Sequence, residues 1–148
     1  MRSKCFGLVA IALVGVIATL ASGMQTGDDV LKKIQGTWQF TEHSMAGQAV
    51  PADQLKEMTI TFKGDKFTVH MGDKVVQGGT HKFDPSKKPM QVDAELTEGE
   101  GKGNTMLGIC EMKGDTMRVC FDPMGKERPT SFTAKDNHMT ATVKRVKK

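Results

Sequence analysis

The sequence predicts an all-β fold: an eight- to nine-stranded antiparallel up-and-down barrel with a short N-terminal helix. Three observations predict it. Apolar and polar residues alternate with period two in short runs spread along the chain. Tight-turn dipeptides separate several of these runs, notably Gly64-Asp65 and Gly114-Asp115. Each run has one apolar and one polar face, as the wall of a small barrel requires. The chain of 148 residues suffices for one domain and is too short for two of ordinary size. Hydrophobic residues at 38% and charged residues at 26% give a globular balance, neither disordered nor membrane-embedded. Aromatics at 5%, with one Trp and no Tyr, argue against a stacking surface for sugars or bases.

The first segment, 1–23, reads as a secretory signal peptide. Arg2 and Lys4 form a positive start, an uncharged apolar run follows, and Ala21-Ser22-Gly23 supplies small residues for cleavage after Gly23. The competing reading is a retained anchor, since about twenty apolar residues can span a bilayer. Either way the rest of the chain is exported, to the periplasm or beyond. Met24 stands where a lipoprotein would carry Cys, and no stable membrane insertion is expected after cleavage. Without Arg2 and Lys4, 19 of the 21 basic residues remain against 17 acidic ones, so there is no strongly basic face. With export, this excludes a nucleic-acid partner. Lys144, Arg145, Lys147 and Lys148 read as a solvated tail.

Segment 24–34 holds a short helix over Asp29–Ile34, capped by Gly27-Asp28-Asp29 with Lys32-Lys33 near its end. The barrel domain occupies 35–148. Its first strand runs from Thr37 to Ser44, and Pro51 to Lys56 makes one helical turn. Met58, Ile60 and Phe62 alternate with polar residues, as do Phe67, Val69 and Met71. With Gly64-Asp65 as a two-residue II′ loop, Phe62 faces Phe67, Ile60 faces Val69 and Met58 faces Met71, all on one side. Val75 to Phe83 is a strand bent or bulged at Gly78-Gly79. Met90 to Leu96 follows, then a glycine-rich loop from Glu98 to Thr105. Gly114-Asp115 turns the next hairpin, with Met112 facing Met117, Cys110 facing Val119, and Glu111 opposite Arg118. A short strand over Pro129–Ala134 and a last one over Met139–Lys144 complete the set.

An exported chain with two mature cysteines invites a disulfide. In the two-residue register, however, Cys110 and Cys120 point to opposite faces and stay free. A three-residue loop would bring them opposite each other and reverse this.

The opening Gly36-Thr37-Trp38, after a short helix, resembles the start of a lipocalin. That resemblance implies that Trp38 closes one end of the barrel and that Lys144 or Arg145 packs on it. More extensively, the chain resembles a lipocalin-like domain family abundant in planctomycete proteins. The segments that carry this are Gln35-Gly36-Thr37-Trp38, Thr61 to Val69, Phe83 to Pro89, Thr97-Glu98-Gly99, Leu107-Gly108-Ile109, Gly114 to Cys120 and Gly125 to Thr130. They cover about Ile34 to Lys148. The resemblance implies a barrel and no established activity, so no functional residue follows from it. Cys110 departs from the Tyr expected in relatives.

The inward faces collect Phe40, Met58, Phe62, Phe67, Met71, Met112 and Met117. Unbranched, polarizable methionines suit an irregular apolar cavity, and equally a solid core. The first reading makes the protein a non-catalytic binder of a small hydrophobic molecule, with uptake abolished by Met71→Trp. The second makes it an interaction module, or a protease-inhibitor-like barrel, whose loops Glu98–Thr105 and Asp122–Pro129 meet another envelope protein. His43 and Met45 share a face and are the best-placed soft metal ligands, but no paired ligand spacing appears, and no metal or other cofactor is expected. His43, His70, His81 and His138 are scattered, and neither a nucleophile elbow nor a phosphate loop is present. A Cys120–His pairing is the one catalytic dyad the spacing leaves open, and no enzyme is expected.

Overall fold

A computed structural model describes residues 25–133, Lys135 and residues 137–147. The expected signal peptide lies outside the described residues. Among those described, no helix is long and apolar enough to cross a membrane. The elements in order are α1 (Gly27–Ile34), β1 (Gly36–Met45), β2 (Gln48–Ala49), α2 (Ala52–Leu55), β3 (Met58–Lys63), β4 (Lys66–Met71), β5 (Lys74–Asp84), β6 (Met90–Gly99), β7 (Thr105–Lys113), β8 (Thr116–Asp122) and β9 (Met139–Arg145). Each strand from β3 to β9 pairs antiparallel with the next, and β1 pairs with both β3 and β9. Eight strands thus close into an up-and-down barrel, and β2 adds a short ninth beside β1.

Turn chemistry sets the register. Gly64, Gly72 and Gly114 take φ of 61°, 59° and 56°, each followed by an Asp, and each closes a two-residue hairpin. Glycine supplies positive φ at the first central position without a Cβ clash. Phe62 therefore pairs with Phe67, Ile60 with Val69, Met58 with Met71, and Met112 with Met117. Cys110 pairs with Val119, while Cys120 pairs with Ile109, so the two thiols sit on opposite faces and are free.

The expected bend in β5 is a register shift between Gly78 and Gly79 against β6. A Cβ on Gly79 would lie 1.9 Å from the Glu95 carbonyl oxygen, so the bulge admits only glycine there.

Four expectations need correction. The helix starts two residues earlier than predicted and is capped by Thr26, not by Gly27-Asp28-Asp29. Thr26 Oγ1 accepts from the Asp29 amide at 3.2 Å, and Asp29 Oδ2 accepts from the Thr26 amide at 3.0 Å. The loop expected over Glu98–Thr105 shrinks to residues 100–104, because β6 extends through Gly99 and β7 begins at Thr105. Its backbone is closed on itself, with the Gly103 amide on the Leu96 carbonyl at 2.8 Å and the Asn104 amide on the Gly101 carbonyl at 2.9 Å. The strand expected over Pro129–Ala134 is not formed over 129–133, and Ala134 lies outside the described residues. β8 already pairs with β9 there, so the wall has no free edge for it. Finally, the two-residue β2 was not foreseen. It follows an Ala46-Gly47 turn with φ of 50° and 78°.

Alternation buries Phe40, Phe62, Phe67, Val69, Val92, Ala94, Met106, Met117, Phe121, Ala141 and Val143 in one cluster inside the cylinder. α1 contributes Val30 and Ile34 to the same cluster, covering one end.

Candidate functional site

The closed end is built on Trp38, which is 0% exposed. Its indole N–H donates to the Ile34 carbonyl at 2.8 Å, tying β1 to the end of α1. The structure seats Arg145, rather than Lys144, on this ring, with the guanidinium 4.4 Å from the indole centroid. The same guanidinium donates to the Gln35 carbonyl at 2.7 Å and to the Lys33 carbonyl, and its Nε lies 3.4 Å from Asp115 Oδ1. One side chain thereby satisfies carbonyls at the C-terminus of α1 and favours its dipole. Gly36 has φ of 112°, and a Cβ there would meet Arg145 Nη1 at 3.6 Å. Gln35 completes the plug through a reciprocal pair with the Gly64 backbone, at 2.8 and 3.1 Å.

Beyond this plug the barrel encloses a cavity of about 190 Å³. Phe62, Phe67, His81 and Phe83 line its inner part, and Val92, Ala94, Met106, Met117, Phe121 and Val143 are among its walls. It reaches the surface at the other end, where His43, the exposed Met45, Gln77, Glu100 and Met139 form the rim. Of the residues singled out by alternation, Phe40, Met58, Phe62, Phe67 and Met117 line the cavity. Met71 and Met112 do not; both are half-buried and pack against the edge of the core. Their direct partners across the hairpins, Met58 and Met117, do line it, so pairing alone does not place a side chain at the cavity. His43 and Met45 both reach the rim, but among the described residues no three His, Cys, Asp or Glu side chains converge.

Other lining residues were missed. Phe83, Val92, Ala94, Phe121, Ala141 and Val143 extend the same alternation and could have been read as lining. Gly108 has a spatial role invisible in sequence. A Cβ there would fall 2.3 Å from Phe121 Cδ1, so the bare backbone makes room for the Phe121 ring.

His81 is the one polar side chain at the inner part of the cavity. It is 8% exposed, with Phe62, Phe83 and Phe67 rings at 5.3, 5.1 and 6.3 Å. Neither ring nitrogen has a hydrogen-bond partner among the described residues. The nitrogens are so enclosed that a ligand atom reaches them only if a ring moves. Burial lowers the His81 pKa below its usual value, against the pull of the Asp65 carboxylate and the nearby Lys66 backbone, which does not reach hydrogen-bond geometry. The folded state therefore resists protonation that the unfolded chain accepts. The resulting stability is fully present above about pH 6.5 and is lost as pH falls toward the lowered folded value. His81→Leu removes two orphaned polar atoms and is expected to stabilise the fold by about 1 kcal/mol at pH 7. It should also flatten the stability profile below pH 6.5, as followed by denaturant titrations across pH.

The outer face opposite the cavity carries a second polar arrangement. Asp122, 2% exposed, accepts from the Met124 amide at 2.9 Å, Lys126 at 3.0 Å and Glu127 at 2.8 Å. Arg128 then donates to the Gly108 carbonyl at 2.8 Å and the Val92 carbonyl at 3.1 Å, and pairs with Asp93. The segment after β8 is thus held to the carbonyls of β6 and β7. Ile109 and Cys120 are both buried, and Cys120 Sγ lies 3.9 Å from His138 Nδ1. His138 Nδ1 also accepts from the Lys135 amide at 3.4 Å. Burial raises the Cys120 thiol pKa, and it pushes the Cys110 thiol up to about 12. A nucleophilic cysteine needs the opposite: an accessible thiol with a lowered pKa. The contact is chemically a buried thiol facing an acceptor nitrogen.

Set beside known proteins, the chain matches no protein-family model, no curated protein and no solved structure.

Proposed function

We propose that this is an exported, lipocalin-like binding protein that holds a small apolar molecule inside its barrel. The observation that carries this reading is the cavity of about 190 Å³, walled largely by Phe, Met and Val side chains, with His43, Gln77 and Glu100 among its polar lining. An apolar cavity of about 150 Å³ is known to admit a benzene-sized molecule, so this one suits an aromatic ring with one or two substituents. A barrel acting solely through its loops has no need of such a space. Methionines at 58, 106, 117 and 139 let the walls adapt to the shape of the guest.

Toluene, followed by calorimetry and by shifts of cavity methyl resonances, tests the reading. Saturable binding is expected for the wild-type protein. Ala94→Phe places a ring in the cavity and should abolish binding while the fold persists. Met71→Trp should leave binding intact, since Met71 lies outside the lining. Absence of saturable toluene binding to folded wild-type protein overturns the proposal.

A further inference from the structure

The rim of the cavity is where specificity can be read, and β1 shows how its polar group is placed. Trp38 and Phe40 alternate inward along β1, so plain alternation would next turn Glu42 inward. Instead the register against β9 slips between Phe40, opposite Val143, and Glu42, opposite Thr142. Thr41 is the extra residue of a bulge. The slip turns Glu42 outward, where its carboxylate accepts from Thr142 Oγ1 at 3.2 Å. It turns His43 inward, opposite the cavity-lining Ala141, with its ring 5.6 Å from that of Phe40. Bulges of this kind re-aim single side chains beside functional sites.

The tautomer of His43 follows from its neighbour. Its Nδ1 lies 3.1 Å from the Thr140 carbonyl oxygen, which can only accept, so Nδ1 carries the proton. In the neutral ring Nε2 is then an acceptor, and the hydrogen bond shown for this ring among the described residues uses Nδ1. Two other polar residues stand at the rim: Glu100 brings a carboxylate, and Gln77 gives one amide N–H to the Glu100 carbonyl at 2.9 Å and keeps its second N–H and its oxygen.

We propose that the guest is an apolar body carrying a hydroxyl group, and that His43 Nε2 accepts its hydrogen bond at the cavity mouth. The inference rests on the reading of the barrel as a binding site for a small apolar molecule. It disfavours apolar carboxylates, whose acceptor-only head would meet Nε2 and the Glu100 carboxylate.

Toluene, benzyl alcohol and benzoate make a matched test on the purified protein at pH 8, with wild type and His43→Leu compared. The preference for benzyl alcohol over toluene should fall about fivefold or more in His43→Leu, as expected for one lost hydrogen bond. Benzoate should bind the wild type at least about tenfold more weakly than benzyl alcohol, since a buried acceptor without a donor is penalised. A second measurement needs no variant: the ¹⁵N resonance of His43 Nε2 should shift with benzyl alcohol and stay in place with toluene. If toluene itself does not bind, the reading of the cavity as a ligand site fails. If toluene binds, but the benzyl alcohol preference survives His43→Leu, benzoate binds as well as the alcohol, or Nε2 does not respond, the assignment of His43 alone is overturned.

Discussion

Trp38→Ala is expected to lower the stability of the folded barrel by about 4 kcal/mol, more than truncation of any other side chain in the plug. Three losses combine. The ring is 0% exposed, so truncation leaves a cavity at the plugged end. The Ile34 carbonyl loses the indole N–H that approaches it at 2.8 Å. The Arg145 guanidinium loses the ring face it lies on at 4.4 Å. Because Arg145 also holds the Gln35 and Lys33 carbonyls, disorder there should spread to α1. Denaturant unfolding followed by far-ultraviolet circular dichroism measures the change, and amide exchange should rise first in α1. Trp38→Phe, which keeps ring burial and loses the N–H, should cost about half as much. A loss below about 1 kcal/mol for Trp38→Ala would mean that the plug does not hold this end closed.

Asp122→Ala should cost about 3 kcal/mol, although the residue belongs to no binding surface and follows the last inward residue of β8. Its carboxylate accepts from three amides of the following turn. Burial by itself would raise its pKa; the amides of Glu127, Met124 and Lys126, helped by His138, outweigh this and hold it below the usual carboxylate value. The sign of the pH effect follows. The stabilisation is fully present above about pH 3.8 and is lost as pH falls through the lowered folded value. The wild type should therefore weaken below about pH 4 more steeply than Asp122→Ala. The substitution should also free the segment after β8, which leads on to His138 against Cys120. Labelling with a thiol reagent, read by mass spectrometry, should quicken about tenfold at Cys120 and remain unchanged at Cys110, which packs within the barrel's apolar cluster. Equal slow labelling at both would show that the segment stays docked without the carboxylate.

Sequence and structure part most clearly on β1 and around Met71. The hairpin register at Gly64-Asp65 was legible because two local rules agree: glycine permits the turn, and only one register leaves Phe62, Ile60 and Met58 on a common face with Phe67, Val69 and Met71. A facing, however, is not a location. Met71 shares that apolar side, directly opposite the lining Met58, and still lies off the cavity. His43 posed the opposite problem. Its inward turn depends on one extra residue at Thr41, and bulges leave no local mark when neither flanking residue is glycine or proline. The bulge at Gly78-Gly79 was legible because its glycines mark it.

Asp122 and Arg128 mark a further boundary. Along the chain, their segment is a polar, glycine- and proline-containing loop, suited to meeting a partner. In the fold its polar groups turn inward on its own backbone and on the carbonyls of β6 and β7. Neither partner could be assigned from spacing, since Arg128 lies 36 and 20 residues from the carbonyls it holds.

The amino-acid sequence by itself determined the all-β class, the hairpin registers, the separation of the Cys110 and Cys120 thiols and which side of most strands is apolar. These are local matters, decided by turn geometry and a period of two. Only the closed tertiary structure decided that β1 meets β9, that Arg145 covers Trp38, that His43 looks into the lumen, and that about 190 Å³ stays unfilled. Those depend on how eight curved strands meet around an axis, and volume left at an axis is a property of the whole ring rather than of any segment in it.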